Sequence, residues 1–387
     1  MIQITDKSQC CGCTACASIC PHDAITMQPD AMGFLYPVVN ESKCIDCGLC
    51  EKVCAFHENY DKSLNLPLPE AYAARHKDMH EVETSRSGAA FIAISDWILK
   101  HDGAVYGVGY AEHFRVVHKR AITKEERNEF KGSKYVQSDL GDVFRQVKQD
   151  LRAGKIVLFS GTPCQTSGLN SYIGKKSREN LYLVDIVCHG VSGPNLWKDY
   201  LDYLEKKQDD KICKVNFRDK QEFGWAAHHE TFNFINSGKV VYKYLFYQHT
   251  AFRKSCEICP FANIHRPSDV TLADFWGWEK TYPKLNKDDK GLSLVLINTE
   301  KGKLLFNAAR QDMNVYHIDK LNDFLQPNLQ YPSMPYPKRE EFERDYTKYG
   351  FIYVAKKYGN IGWRYKLRTL KQKIQTAKNI YWKRIGI

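Results

Sequence analysis

The stretch Cys10-Cys11-Gly12-Cys13-Thr14-Ala15-Cys16-Ala17-Ser18-Ile19-Cys20-Pro21 decides how the N-terminal end of this chain is read. Its spacing is C-x2-C-x2-C-x3-C followed by proline. The same spacing returns at Cys44, Cys47, Cys50 and Cys54, with Ala55 in place of the proline. Nine of the fourteen cysteines of the 387-residue chain fall in its first 54 residues, so cysteine chemistry is concentrated there. The opening MIQITDKSQC has neither a basic n-region nor an apolar h-region, and no long uncharged apolar run follows. A cytoplasmic chain is expected, and in a reducing cytosol clustered cysteines are metal ligands more often than disulfides.

The doubled spacing is that of bacterial two-cluster ferredoxins. Three closely spaced thiolates wrap one 4Fe-4S cube, and the fourth cysteine leads to the other cube. One cluster is expected on Cys10, Cys13, Cys16 and Cys54, the second on Cys44, Cys47, Cys50 and Cys20. Cys11 fits neither set and is a spare thiol. A pair of zinc sites is the competing reading, but zinc closes four ligands around one ion, and the third and fourth cysteines keep ferredoxin spacing twice over.

Residues 1–60 are therefore an α+β ferredoxin-like domain. Residues 61–70, with two prolines and no helical period, read as a linker. From Ala71 the pattern is α/β. Apolar stripes at Phe91, Ile94 and Ile98, at Val143, Phe144, Val147 and Leu151, and at Leu196, Tyr200 and Leu204 mark helices, the first capped near Ser87. Thr123 and Glu126 form a capping box. The runs 104–110, 114–122, 155–160 and 181–187 read as strands. Such alternation implies a mainly parallel sheet, and sites in such sheets lie beyond the carboxyl ends of strands, where Cys164 and Cys188 fall. The larger domain divides into 71–150 and 151–330, with a tail at 331–387.

That tail holds the net charge. From Tyr346 to Ile387 there are eleven Lys/Arg and no acidic residue, which leaves 45 basic against 45 acidic residues elsewhere. One basic end on a neutral body argues against nucleic-acid binding. Trp363, Leu367, Leu370, Ile374, Ala377 and Tyr381 make one helical stripe among lysines and arginines. Such a helix either lies on an anionic membrane surface, docks on an acidic partner, or packs back on its own body.

Read from residues alone, Cys256-x2-Cys259 is a metal half-site, and Cys164 and Cys188 either complete it or are buried thiols. Cys213 is an ordinary thiol. The strings GTPCQTSGL (161–169), VCHGVSGP (187–194) and SDVTLADFWGW (268–278), with SRSGAAF (85–91) and GSKYVQS (132–138), resemble the coenzyme F-420 hydrogenase/dehydrogenase beta-subunit family over about residues 1–330. The resemblance implies a third 4Fe-4S cluster on Cys164, Cys188, Cys256 and Cys259. It also implies a flavin, usually FAD, held by Ser87 and Gly88 and by Gly132, Ser133, Lys134 and Tyr135, although Ala89 stands where the family has a second glycine. Asp274 is either a family site residue or a strand-end turn, and His189 either a hydrogen-bond donor to the site or a structural histidine.

Iron–sulfur clusters pass single electrons, and deazaflavins and nicotinamides pass hydride. A flavin does both, and no GxGxxG follows a strand to suggest a separate dinucleotide site. The expected function is an iron–sulfur flavoprotein oxidoreductase acting on a deazaflavin-like or other organic substrate, with a ferredoxin or another redox protein as partner. The alternatives are a non-catalytic electron-transfer subunit of a complex and a reductase serving surface-polysaccharide biosynthesis.

Overall fold

The computed structural model describes residues 1–242, 249–359 and 361–362. The apolar stripe from Trp363 to Tyr381 lies outside the described residues.

The N-terminal module is built around a hairpin. β1 (Ile25–Pro29) pairs antiparallel with β2 (Leu35–Val39) in the register Ile25↔Val39 to Pro29↔Leu35. Short helices Ala15–Ile19 and Leu49–Lys52 flank it, each entered through a left-handed residue, Thr14 (φ 64) and Gly48 (φ 71). Each helix carries one thiol into the interior, Cys16 and Cys50. The two cysteine copies are thus two copies of one local turn-and-helix shape.

The stretch read as a linker is not one throughout. β3 runs from Asn65 to His76 and becomes an inner strand of the large sheet. Its outer half carries both prolines, while Ala71, Ala73 and Ala74 are buried. Prolines masked the strand in the sequence, since they donate no ladder hydrogen bond.

The remaining strands of that sheet are β4 (Ala104–Tyr110), β5 (Val116–Ala121), β6 (Val157–Gly161), β7 (Leu181–Ile186), then β11 (Val270–Asp274), β12 (Ser293–Thr299) and β13 (Met313–His317). Their order is β13-β3-β12-β11-β7-β6-β4-β5. The contacts β4–β6, β6–β7 and β7–β11 are parallel, whereas β12, β3, β13 and β5 pair antiparallel. The α/β class stands, with a parallel centre and antiparallel flanks. The flanks come from hairpin-like returns that helix–strand alternation does not reveal.

Successive residues of the central strands face opposite sides. Val157 and Phe159 pack with Phe144, Val147 and Leu169 under one pair of helices, Val143–Arg152 and Pro163–Ile173. Leu158 packs with Ile94, Ile98 and Phe306 under the helices Ala90–Lys100 and Glu300–Ala309. Burying each such side chain contributes roughly 1.5–3 kcal/mol. A second sheet, β8 (Ile212–Asn216), β9 (Glu230–Phe234) and β10 (Gly238–Tyr242), is antiparallel in the order β10-β9-β8. It shares a core with the helices Pro194–Gln208 and Arg339–Lys357, through Trp197, Tyr200, Phe232, Phe342 and Phe351. The region from 331 onward therefore begins as core: Phe342, Tyr346, Val354 and Tyr358 are buried. Its basic composition concealed an apolar stripe interrupted at Gly350, whose φ of 73 kinks the helix.

The module docks closely on this body. The amide of Asn195 donates to the carbonyl of Met32 at 3.1 Å, and Met32 and Phe34 join the Trp197 core.

Candidate metal centre and adjoining cavity

The twelve cysteines singled out by spacing and resemblance gather in three sets of four. Cys20, Cys44, Cys47 and Cys50 line one pocket with Ile25, Val39 and Leu49. Cys10, Cys13 and Cys54 crowd Cys16, whose thiol is pushed up by burial and then by their negative charge. Cys164, Cys256 and Cys259 similarly surround Cys188, where burial is the first cause of a strongly raised pKa. Burial raises Cys256 to about 11 and Cys259 to about 12. Buried clustered thiols resist ionising alone; a cation that draws off the protons makes the arrangement favourable.

The sulfur environments fit a cluster. Backbone amides donate to sulfur at 3.4 Å in four places: Gly12 to Cys10, Ala24 to Cys20, Ile2 to Cys50 and Gly190 to Cys188. The Thr162 hydroxyl lies 3.2 Å from Cys164 Sγ. Hydrogen bonds to the sulfurs are among the features that tune iron–sulfur sites. Among the described residues no three His, Cys, Asp or Glu side chains close around a point that a single metal ion would occupy. A cube of four irons spreads its thiolates wider than one ion does.

Sequence reasoning set Cys11 aside, and the structure gives it a position. Its buried thiol packs against Cys13 of the first set and Cys164 of the third, and these neighbouring thiols hold its pKa well up. Cys11 thus sits between the first set and the third. Cys213 is exposed on β8 and apart from all three sets.

Cys164 opens the helix Pro163–Ile173 directly after β6, under a capping box of Thr162 and Gln165, and Cys188 follows β7. Both stand at carboxyl ends of parallel strands. There a cavity of about 360 Å³ opens, with Cys164, Cys188, Cys256 and Cys259 in one wall. Ser87, Gly132, Ser133, Lys134 and Tyr135 line it too. At Gly132 (φ +80) a β-carbon would meet nothing within 4 Å. Lys134 Nζ ties this loop together by donating to the carbonyls of Glu129 (2.9 Å) and Lys131 (3.0 Å), and burial lowers its pKa to about 7.

Gly88, between Ser87 and Ala89 of the cavity lining, packs its backbone against the sheet. Its amide donates to Ser293 Oγ at 3.0 Å, and a β-carbon there would lie 2.3 Å from the carbonyl oxygen of Ala74. The residue is glycine because β3 and β12 pass against it. Ala89, rather than Ser87, caps the helix, in the left-handed region at φ 62, and the Ser87 hydroxyl donates to Leu292 O.

Asp274, at the end of β11, is a hub in the cavity wall. It accepts from Arg218 Nη1 at 2.7 Å and from Trp225 Nε1 at 3.1 Å, and it pairs with Arg86 at 3.6 Å. Trp225 stacks on Trp276 at 4.3 Å, and His228 lies beside Trp276 with its pKa lowered to about 4 by burial and by Arg218. Arg218 and His228 escaped the sequence reading because the segment before β9 carries no motif. His189 also lines the cavity, with burial lowering its pKa, and its carbonyl accepts from Ser333 Oγ.

Residues 9–57 match a family model described as a 4Fe-4S dicluster domain, and the chain is an iron–sulfur protein. Residues 154–323 match the model described as the C terminus of the coenzyme F420 hydrogenase/dehydrogenase beta subunit, and that segment is similar to this family. The chain is 24% identical over 377 residues to the coenzyme F420-dependent sulfite reductase of Methanocaldococcus jannaschii, covering 93% of this chain and 54% of that protein. It thus spans about half the length of this curated relative. Among solved structures it is similar to a chain of the F420-reducing [NiFe] hydrogenase complex from Methanosarcina barkeri, at 13% identity and a TM-score of 0.47, covering 73% of this chain and 93% of that one.

Proposed function

We propose that the chain is an iron–sulfur flavoprotein oxidoreductase that couples one-electron transfer with a ferredoxin or another redox protein to hydride transfer with a deazaflavin-like or other organic substrate. The carrying observation is that one cavity is lined by both the third cysteine set and the loop from Gly132 to Tyr135. Cys10, Cys13, Cys16 and Cys54 hold one 4Fe-4S cluster, Cys20, Cys44, Cys47 and Cys50 a second, and Cys164, Cys188, Cys256 and Cys259 a third. Ser87, Gly132, Ser133, Lys134 and Tyr135 hold FAD, which when bound supplies the conversion between one-electron and two-electron transfer.

The chain's own groups do the rest. Peptide amides and the Thr162 hydroxyl donate to the thiolates. Lys134 fixes the loop that shapes the cofactor wall. Asp274 holds Arg218 toward the cavity, where its positive charge suits an anionic substrate group. His228, kept neutral, presents a hydrogen-bonding ring that adds no charge. Cys47 is exposed, so the second set is the one open to a redox partner.

Anaerobic purification, cofactor extraction and a reduction assay with a panel of hydride donors test the reading. Bound FAD and reduction of the iron–sulfur absorbance by one donor support it. Failure of both FAD and FMN to bind on anaerobic reconstitution returns the chain to a relay of electrons only. No described helix is long and apolar enough to cross a membrane. Peripheral binding to anionic membranes through residues 361–387 is a further proposal, tested by vesicle co-sedimentation of the full chain against one ending at Asn360. Salt-sensitive binding that needs those residues supports it, and equal sedimentation of the two overturns it.

A further inference from the structure

Arg253 is 1% exposed, yet each group its guanidinium donates to is neutral oxygen or thiol sulfur. Nε donates to the Cys10 carbonyl at 2.8 Å and Nη1 to Gln137 Oε1 at 2.8 Å. Nη2 donates to Leu35 O at 2.9 Å and approaches Cys10 Sγ at 3.7 Å. The guanidinium lies 4.2 Å from the Tyr36 ring. The main chain of the same residue belongs to the third cysteine set: its carbonyl accepts from the amide of Cys256 at 2.9 Å, and its amide donates to Val191 O at 3.0 Å. One residue thus joins the hairpin module to the segment that carries Cys256 and Cys259.

A buried cation is costly unless something anionic answers it. A cube ligated by four thiolates is an anion and gains one further negative charge on one-electron reduction. In a low-dielectric interior a guanidinium beside its ligand favours the more negative state, as does a hydrogen bond to a ligand sulfur. We propose that Arg253 is a positioning residue that raises the reduction potential of the cluster on Cys10, Cys13, Cys16 and Cys54. That cluster adjoins the third set through Cys11, so the raised potential makes electrons collect next to the cavity. The inference rests on the reading of these four cysteines as cluster ligands.

The test is an anaerobic redox titration of the full-length reconstituted chain, followed by EPR, with the first cluster identified by the signal that Cys16→Ala removes. Arg253→Met is expected to move that midpoint to more negative potential, and Arg253→Lys, which keeps the charge, to move it less. Gln137→Glu neutralises the guanidinium while leaving it in place and is expected to lower the same midpoint. An unchanged midpoint in Arg253→Met overturns the proposal. Should that variant bind no first cluster, an unchanged midpoint in Gln137→Glu does so. If Cys16→Ala removes no signal seen in the parent chain, the cluster reading itself fails, and that control tells the two failures apart.

Discussion

A β-carbon on Gly168 would lie 2.6 Å from Cys13 Sγ. Gly168 belongs to the helix Pro163–Ile173, which Cys164 opens, and Cys13 to the N-terminal run. The helix that carries a thiol of the third set is therefore also the surface against which the first set is packed. Ser167 Oγ donates to Ala55 O at 3.3 Å along the same seam.

Gly168→Ala should push the Cys13 thiol out of place. The strain is about 1–3 kcal/mol, and the expected loss is about four irons per chain, those of one cluster. Iron analysis with EPR of the anaerobically prepared variant checks this. Full iron and wild-type spectra would show that the contact yields without consequence.

Gly88 and Ala89 should respond in opposite senses. Gly88→Ala drives a methyl into Ala74 O and Ser293 N, and a loss of about 3 kcal/mol or more is expected. Ala89→Gly relieves a left-handed alanine and should stabilise by about 0.5–1 kcal/mol. Thermal unfolding of the two variants beside the parent chain decides both.

Lys134→Met should free the carbonyls of Glu129 and Lys131 and loosen the loop at the cavity wall. FAD affinity is expected to fall about tenfold, equivalent to about 1.4 kcal/mol, with iron content unchanged. Flavin titration of the reconstituted chain measures it. Undiminished affinity removes Lys134 from the cofactor site.

Acid should destabilise the fold through His118. Its ring is buried, stacks on Phe159, and is hydrogen-bonded to Ser138 and Ser160, and burial lowers its pKa from 6.5 to about 4. Between about 6.5 and about 4 the unfolded chain binds a proton that the folded chain refuses. The stability contribution is complete above about 6.5 and declines as pH falls, by at most about 1.4 kcal/mol per pH unit. His118→Gln should flatten the dependence of urea unfolding between pH 7 and pH 5.5. Equal slopes in both chains would assign the acid sensitivity elsewhere.

What the sequence made legible follows from how local each signal is. The cysteine runs encode turn geometry within a dozen residues, so the two N-terminal sets were readable from spacing. Cys164 and Cys188 were placed at strand ends by alternation alone, because buried parallel strands are continuous apolar runs. Their convergence with Cys256 and Cys259 depends on sheet order, which periodicity does not encode, and it was reached only through resemblance. β3 hid behind Pro67 and Pro69, and the helix Arg339–Lys357 behind its charge. Arg218 and His228 reach the cavity wall from a segment with no motif, and Cys11 acquires its position between two sets only when the module docks.

Cys164, Cys188, Cys256 and Cys259 are proposed to hold a cluster of their own. The direct measurement is iron and sulfide per chain in the anaerobically reconstituted full-length protein, beside a variant carrying Cys256→Ala and Cys259→Ala and a control carrying Cys213→Ala. About twelve irons are expected in the parent and in the Cys213→Ala control, and about eight in the double variant. About eight irons in all three would contradict this and return the four residues to buried thiols.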